Sequence, residues 1–208
     1  MMDTINLPII LSAALLATAS PGPATLTIAA TSMQQGRRFG LALASGVMTG
    51  SLIWSVAAAL GLGALMLANA WAFEMLRYLG AVYLLFLAVK SAKSALWPGV
   101  SGRQVMASKS LGRAYSRGLA LHLTNPKAIL FFGSLYAIGI PAGSSPAALA
   151  TVIAAIAVQS FVIFHGYALL FSNARIARGY EKLRRWFDGV FALAFGAAGI
   201  KILTTRIT

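Results

Sequence analysis

Residues 11–32 read LSAALLATASPGPATLTIAATS, an apolar run interrupted near its middle by Ser20-Pro21-Gly22-Pro23. Proline removes a backbone donor and clashes with the carbonyl one turn back, so two prolines around a glycine break a helix here. The apolar run resumes at once, which makes the break internal to one long segment. A second run, residues 115–140, reads YSRGLALHLTNPKAILFFGSLYAIGI and is interrupted in the same manner by Thr124-Asn125-Pro126-Lys127. At membrane depth such breaks are tolerated where the freed backbone lines a cavity or packs on protein.

Six stretches reach the roughly 20 apolar residues that cross a hydrocarbon core: residues 5–32, 39–68, 73–95, 115–140, 146–171 and 187–203. Helix is the state expected for all of them, because an open strand cannot satisfy its backbone in lipid. The composition agrees. The chain of 208 residues is 59% hydrophobic and 10% charged, with a mean hydropathy of +0.79, against about 25% charged residues in a soluble domain. The fold class predicted is an all-α integral membrane protein with six transmembrane helices. The lipid bilayer is its first partner.

The net charge of +13 invites a nucleic-acid reading, which fails on distribution. Basic residues cluster between apolar runs rather than on one face with interleaved aromatics. They fall at Arg37 and Arg38, in the connection from Lys90 to Arg117, and in the segment from Arg175 to Arg185. The turn at residues 139–146 has no charge, and Arg77 is offset by Glu74. By the positive-inside rule the basic loops are cytoplasmic and both termini lie outside. Lys201 and Arg206 dissent, which makes the sixth span the least secure. Ala17-Thr18-Ala19 resembles a signal-cleavage triplet, but no Lys or Arg precedes it, so a retained first helix is expected.

The Gly/Pro-containing connection divides the chain into residues 1–96, 97–114 and 115–208: a three-helix membrane repeat, a basic cytoplasmic connection and a second three-helix repeat. Halves with an odd number of spans have opposite orientations, the inverted-repeat plan of many transporters. Each half here begins with a broken helix, 1 and 4.

A broken helix exposes a half-helix amino terminus with free amides and partial positive charge, suited to a carboxylate. The expected substrate-binding residues are therefore Pro21, Gly22, Pro23 and Thr25 at the first break, and Thr124, Asn125, Pro126 and Lys127 at the second. Lys127 is a charge well inside a span, where charge is costly and marks function. Gln159 is a polar residue near the middle of span five that either lines the path or bonds between helices. Gly46 and Gly50 form a GxxxG pair that reads as helix packing and also admits a homodimer. No cysteine is present, and with two His and four acids a metal cage is not expected. His122 and His165 are too isolated to propose a metal, and Asp188 reads as an interface acid beside Arg184 or Arg185.

Enzyme readings fail. Gly99-Val100-Ser101-Gly102 matches a GxSG string, but it lies in a basic loop rather than at a buried nucleophile. No HExxH string and no pair of intramembrane aspartates occurs. No catalytic residue and no cofactor is assigned.

With these residues in hand, the chain resembles the LysE/RhtB family of bacterial amino-acid exporters. The likeness is carried by Ser20-Pro21-Gly22-Pro23, Gly36-Arg37-Arg38-Phe39-Gly40 with Gly46, Leu79-Gly80-Ala81-Val82-Tyr83-Leu84, and Gly118 with Leu123-Thr124-Asn125-Pro126-Lys127-Ala128. The resemblance implies a transporter of the bacterial inner membrane that moves amino acids or their derivatives outward by proton antiport. Family exporters of basic amino acids place aspartates in spans two and four. This chain has none there, so a neutral amino-acid-like substrate of the threonine, homoserine, homoserine lactone or leucine type is expected. A channel, and an exporter of another small or inorganic solute on a related fold, are the competing readings.

Overall fold

The computed structural model describes residues 5–68, 70–97, 106–141 and 144–204, and every regular element among them is helical. In chain order these are α1 (Leu7–Ala19), α2 (Pro23–Gln35), α3 (Arg37–Ala68), α4 (Ala70–Leu96), α5 (Leu111–Leu123), α6 (Pro126–Gly139), α7 (Pro146–Phe171) and α8 (Ala174–Thr204). The two interrupted runs are α1–α2 and α5–α6. The first pair bends by 51° at its break.

Helix starts follow local chemistry. Asn6, Ser110, Asn125 and Ser145 each accept a hydrogen bond from a first-turn amide, and proline occupies the opening turns of α1, α2, α6 and α7. Proline suits that place because its missing N–H would have no helical partner there. Gly36 separates α2 from α3 with φ of +84°, the only positive φ among the described residues. A side chain would strain that conformation, so glycine is required for the abrupt turn.

The basic segment after Asn173, expected as a loop, is instead helical and continuous with the sixth apolar stretch in α8. Arg, Lys, Leu and Ala are good helix formers, and charge patterning alone does not end a helix. By length and hydropathy, the segments Arg37–Gly61 and Pro146–Phe171 are sufficient to cross a membrane, and the bent α1–α2 pair is a third if counted as one span. Helices α5 and α6 are each too short to be a full span alone.

Two larger buried clusters build most of the interior, beside a small third of Ala29, Phe171 and Ala177. One gathers Ile10 and Ala14 of α1, Ala59 of α3, Phe132, Leu135 and Tyr136 of α6, and Val152 and Ile156 of α7. The other gathers Ala24 and Ile28 of α2, Leu43, Ala44 and Val47 of α3, Ala114 of α5, and Phe164 and Ala168 of α7. Helices α3 and α7 thus run through both clusters, and each interrupted run contributes one half to each. Helix α4 lies along α8. Leu60, Val82, Phe86, Val89, Val158, Val162 and Leu193 are all exposed. So much outward apolar surface on several helices fits contact with lipid.

Helices α3 and α5 meet backbone to backbone. A Cβ on Gly46 would lie 2.0 Å from the Tyr115 carbonyl oxygen, and one on Gly118 would lie 2.1 Å from that of Leu43. Gly50 abuts the His122 side chain, where a Cβ would fall 2.9 Å from the His122 Cβ. The Gly46/Gly50 face is therefore filled within the chain by α5. It is not free to receive a second copy, which removes the reason it offered for a homodimer.

One buried polar pair joins two helices of the first cluster. Ser55 of α3 and Tyr136 of α6 share a hydrogen bond of 2.6 Å, and both are buried. Interhelical hydrogen bonds in membrane proteins average about 0.6 kcal/mol and reach about 1.7 kcal/mol. Tyr136→Phe is expected to cost that much and to leave transport intact; thermal unfolding in detergent, with an efflux assay beside it, checks both.

Candidate functional site

The two breaks meet. At the first, α1 ends at Ala19 and Ser20 is its carboxyl-terminal cap. The last carbonyls of a helix carry partial negative charge and lack helical partners. Lys127, in the first turn of α6, reaches across to this end: its Nζ donates to the Ser20 carbonyl oxygen at 3.2 Å and to the Ser20 hydroxyl. The stem lies against Gly22, where a Cβ would sit 3.3 Å from both Cδ and Nζ. The Phe195 ring of α8 faces the ammonium, its centroid 5.8 Å from Nζ. Lys127 is 9% exposed. A buried ammonium needs such partners, and here a half-helix carboxyl end supplies them.

The opening turn of α2 faces the same place. Gly22 is its amino-terminal cap and has no side chain to bond the first amides. Thr25 closes the turn from within, its Oγ1 accepting from the Gly22 amide at 3.0 Å. Helix α6 differs, since the Asn125 Oδ1 accepts from the Lys127 amide at 3.1 Å. The free donors expected at the second break are thus already capped. Asparagine is among the best caps, and its side-chain oxygen is spent on that role.

A small cavity of about 40 Å³ lies at the junction, lined by Ser20, Gly22, Thr25, His122, Asn125 and Lys127 among polar or break residues, and by Phe131, Phe132 and Phe164. A space of that size holds a few waters and must open further to take an amino acid. No acid lines it. Asp188 is buried elsewhere, between α4 and α8, where Ser94 donates to it at 2.7 Å and Arg184 approaches at 3.7 Å.

Other expected site residues are not on the cavity. Pro21 and Pro23 shape the break and are half-buried, while Thr124 and Pro126 are exposed. The Thr124 hydroxyl donates back to Ala120 O at 2.9 Å. Gln159 ties α7 to α1, its Nε2 donating to Leu11 O at 3.2 Å. That is an interhelical bond. The Gly99–Gly102 string lies outside the described residues. Among the described residues, no group of His, Asp and Glu could hold a metal ion.

Sequence reasoning treated Ser20 only as part of a break and set His122 aside. Both line the cavity. The usable signal was the spacing of Gly118 and His122, four residues apart and hence on one helical face.

Comparison with known proteins decides the family. The LysE type translocator profile matches residues 15–206. The chain belongs to the LysE type translocator family. A threonine efflux protein of Escherichia coli (strain K12) is 30% identical over 190 residues, covering 90% of this chain and 92% of that protein. A leucine efflux protein of Enterobacter sp. (strain 638) is 32% identical over 178 residues, 84% of each chain. A homoserine/homoserine lactone efflux protein of Salmonella typhimurium is 33% identical over 117 residues, 56% of each. No solved structure matches. As a LysE type translocator the protein is a membrane transporter and not an enzyme, and its relatives handle small amino-acid substrates.

Proposed function

We propose that the protein exports neutral amino acids or their close derivatives across the bacterial inner membrane, driven by the proton gradient, and that the junction of the two broken helices is its substrate site. The observation that carries this reading is the bridge from Lys127, in the second break, to the carboxyl end of α1 at the first. It sets an ammonium and the uncapped amino end of α2 on one cavity that no acid among the described residues lines. A substrate carboxylate fits that electrostatic pattern. A cavity with no acid among its described lining residues suits a substrate without a cationic side chain, and the names of the relatives point the same way.

The working cycle is alternating access. Lys127 holds the halves closed through Ser20 when the cavity is small, and the substrate carboxylate exchanges with the Ser20 hydroxyl for the ammonium as the cavity opens. The exchange of α1 with α5, α2 with α6 and α3 with α7 maps one buried cluster onto the other. This supports two inverted repeats, residues 1–96 and 115–208, joined by residues 97–114. In this reading each interrupted run is one span, six in all. The basic segments are then cytoplasmic and both termini lie outside.

The test is an untargeted comparison of metabolites in the medium with and without overexpression. Neutral amino acids of the threonine, homoserine or leucine type are expected to accumulate outside against their gradient, and a protonophore should collapse that flux. An unchanged medium contradicts export. Flux that only runs down its gradient makes the protein a channel.

A further inference from the structure

A substrate with a free amino group brings an ammonium as well as a carboxylate, and among the described residues the cavity above has no carboxylate to receive it. The lining does hold an unused acceptor. His122 is 5% exposed, and neither of its ring nitrogens has a hydrogen-bond partner among the described residues. A buried polar group in that condition is uncommon and calls for a reason. The second histidine shows the ordinary outcome: His165 has Ser45 Oγ at 3.1 Å from one ring nitrogen and Phe161 O at 3.0 Å from the other.

The imidazole is also fixed in place. Phe164 of α7 meets it edge-on with centroids 5.8 Å apart, and Gly50 of α3 abuts its Cβ. The backbone crossing at Gly118, one turn earlier, sets the position of that part of α5. His122 is thus held against the cavity by its apolar contacts, with its nitrogens unused.

We infer that His122 is both the acceptor for the substrate ammonium and the carrier of the coupling proton, the two competing for one ring nitrogen. This rests on the export reading above. A neutral imidazole offers one nitrogen lone pair, which accepts a hydrogen bond from the ammonium of a bound amino acid. On the outward-facing side a proton from bulk water takes the same lone pair. The resulting imidazolium has no acceptor left and repels the ammonium, so the substrate leaves. After the site turns inward the proton passes to cytoplasmic water and the lone pair can receive the next ammonium. No bond other than this N–H forms or breaks, and one proton enters for each substrate that leaves.

The surrounding groups leave His122 this role. Helix α5 itself carries Arg113, Tyr115 and Arg117. Among the elements packed against it, α2 has no titratable side chain, α3 has Arg37 and Arg38 at its start, and α6 has Lys127 and Tyr136. Helix α7, which supplies Phe164, carries His165 and Tyr167. Of all these, only Lys127 shares the cavity with His122, and its ammonium is engaged by Ser20.

The experiment uses the full chain in liposomes and measures exchange of labelled L-threonine, L-homoserine and L-leucine at equal pH on both sides, from about pH 8 down to about pH 4. The wild-type half-saturating concentration should rise as pH falls, most steeply at the acid end, toward the limit of about tenfold per pH unit that one competing proton sets. His122→Gln should bind more weakly overall and vary less than about twofold across the range, since an amide oxygen still accepts but does not titrate. A Gln variant that keeps the wild-type slope overturns the inference while leaving export standing. A wild type that exchanges none of the three amino acids overturns the export reading and this one together. Should His122→Gln fail to fold, N-acetyl-L-threonine decides on the wild type. It has no ammonium to compete with the proton, so its inhibition should not weaken as pH falls, and a weakening like that of the free amino acids overturns the inference.

Discussion

Lys127→Met is expected to reduce amino-acid efflux at least tenfold while the protein remains in the membrane in wild-type amount. The reasoning starts from the ammonium. It donates to two Ser20 oxygens at the carboxyl end of α1 and faces the cavity. A hydrogen bond to a charged group contributes about 1.5–3 kcal/mol, and a loss of that size is about tenfold or more in a binding constant. Methionine keeps the stem that lies against Gly22 and keeps the volume, so the variant removes charge with little change in packing. Removing a buried charge also lifts its desolvation cost, which favours survival of the fold. Lys127→Arg is not a safe replacement, because the planar guanidinium is larger and differently shaped. Efflux from cells, normalised to membrane-inserted protein, checks the prediction. Wild-type efflux by the Met variant would remove Lys127 from the site.

The second large effect is on the fold. Gly118→Ala, or Gly46→Ala, is expected to lower the yield of folded protein sharply and to abolish transport in what remains. The added methyl would meet backbone, not a flexible side chain: the Leu43 carbonyl oxygen at 2.1 Å in one case, the Tyr115 carbonyl oxygen at 2.0 Å in the other. No rotamer change relieves such a contact, so the α3–α5 crossing must open. Overpacking that forces backbone shifts costs about 1–3 kcal/mol and sometimes more, against a total stability of about 5–15 kcal/mol for a typical domain. The displacement reaches His122, one turn beyond Gly118. Gly166→Ala in α7 is the control, since a Cβ there meets nothing within 4 Å. It should be neutral or stabilising by up to about 1 kcal/mol from helix propensity alone. Size-exclusion profiles and thermal unfolding in detergent distinguish the two kinds of glycine.

The breaks were legible in the sequence because proline acts on its own neighbourhood. Ser20-Pro21-Gly22-Pro23 and Asn125-Pro126 end and restart helices wherever they are placed. The limits of α7 could be read for the same reason, with Ser145-Pro146 at its start. The join of the basic segment to α8 was misread because positive-inside logic marks membrane boundaries, not helix ends. The site was only half legible. Asn125 is an equally good helix cap and substrate ligand by residue type, and only the bond to the Lys127 amide separates the two. Gln159 had the same ambiguity until its bond to Leu11 placed it between α7 and α1. His122 was missed because its significance lies in lacking a partner, a property that exists only once the surrounding helices are assembled.

The central claim, that the junction of the two breaks is where substrate binds, is tested most directly by thiol protection. The chain has no cysteine, so a single Ala17→Cys or Ala24→Cys places one reactive group on the cavity lining. Met106→Cys, on a residue 84% exposed and away from that lining, serves as reference. In a transport-active variant, saturating substrate should slow labelling at the cavity position at least severalfold and leave the reference unchanged. Equal labelling rates with and without substrate at both cavity positions, in variants that still transport, would contradict the account.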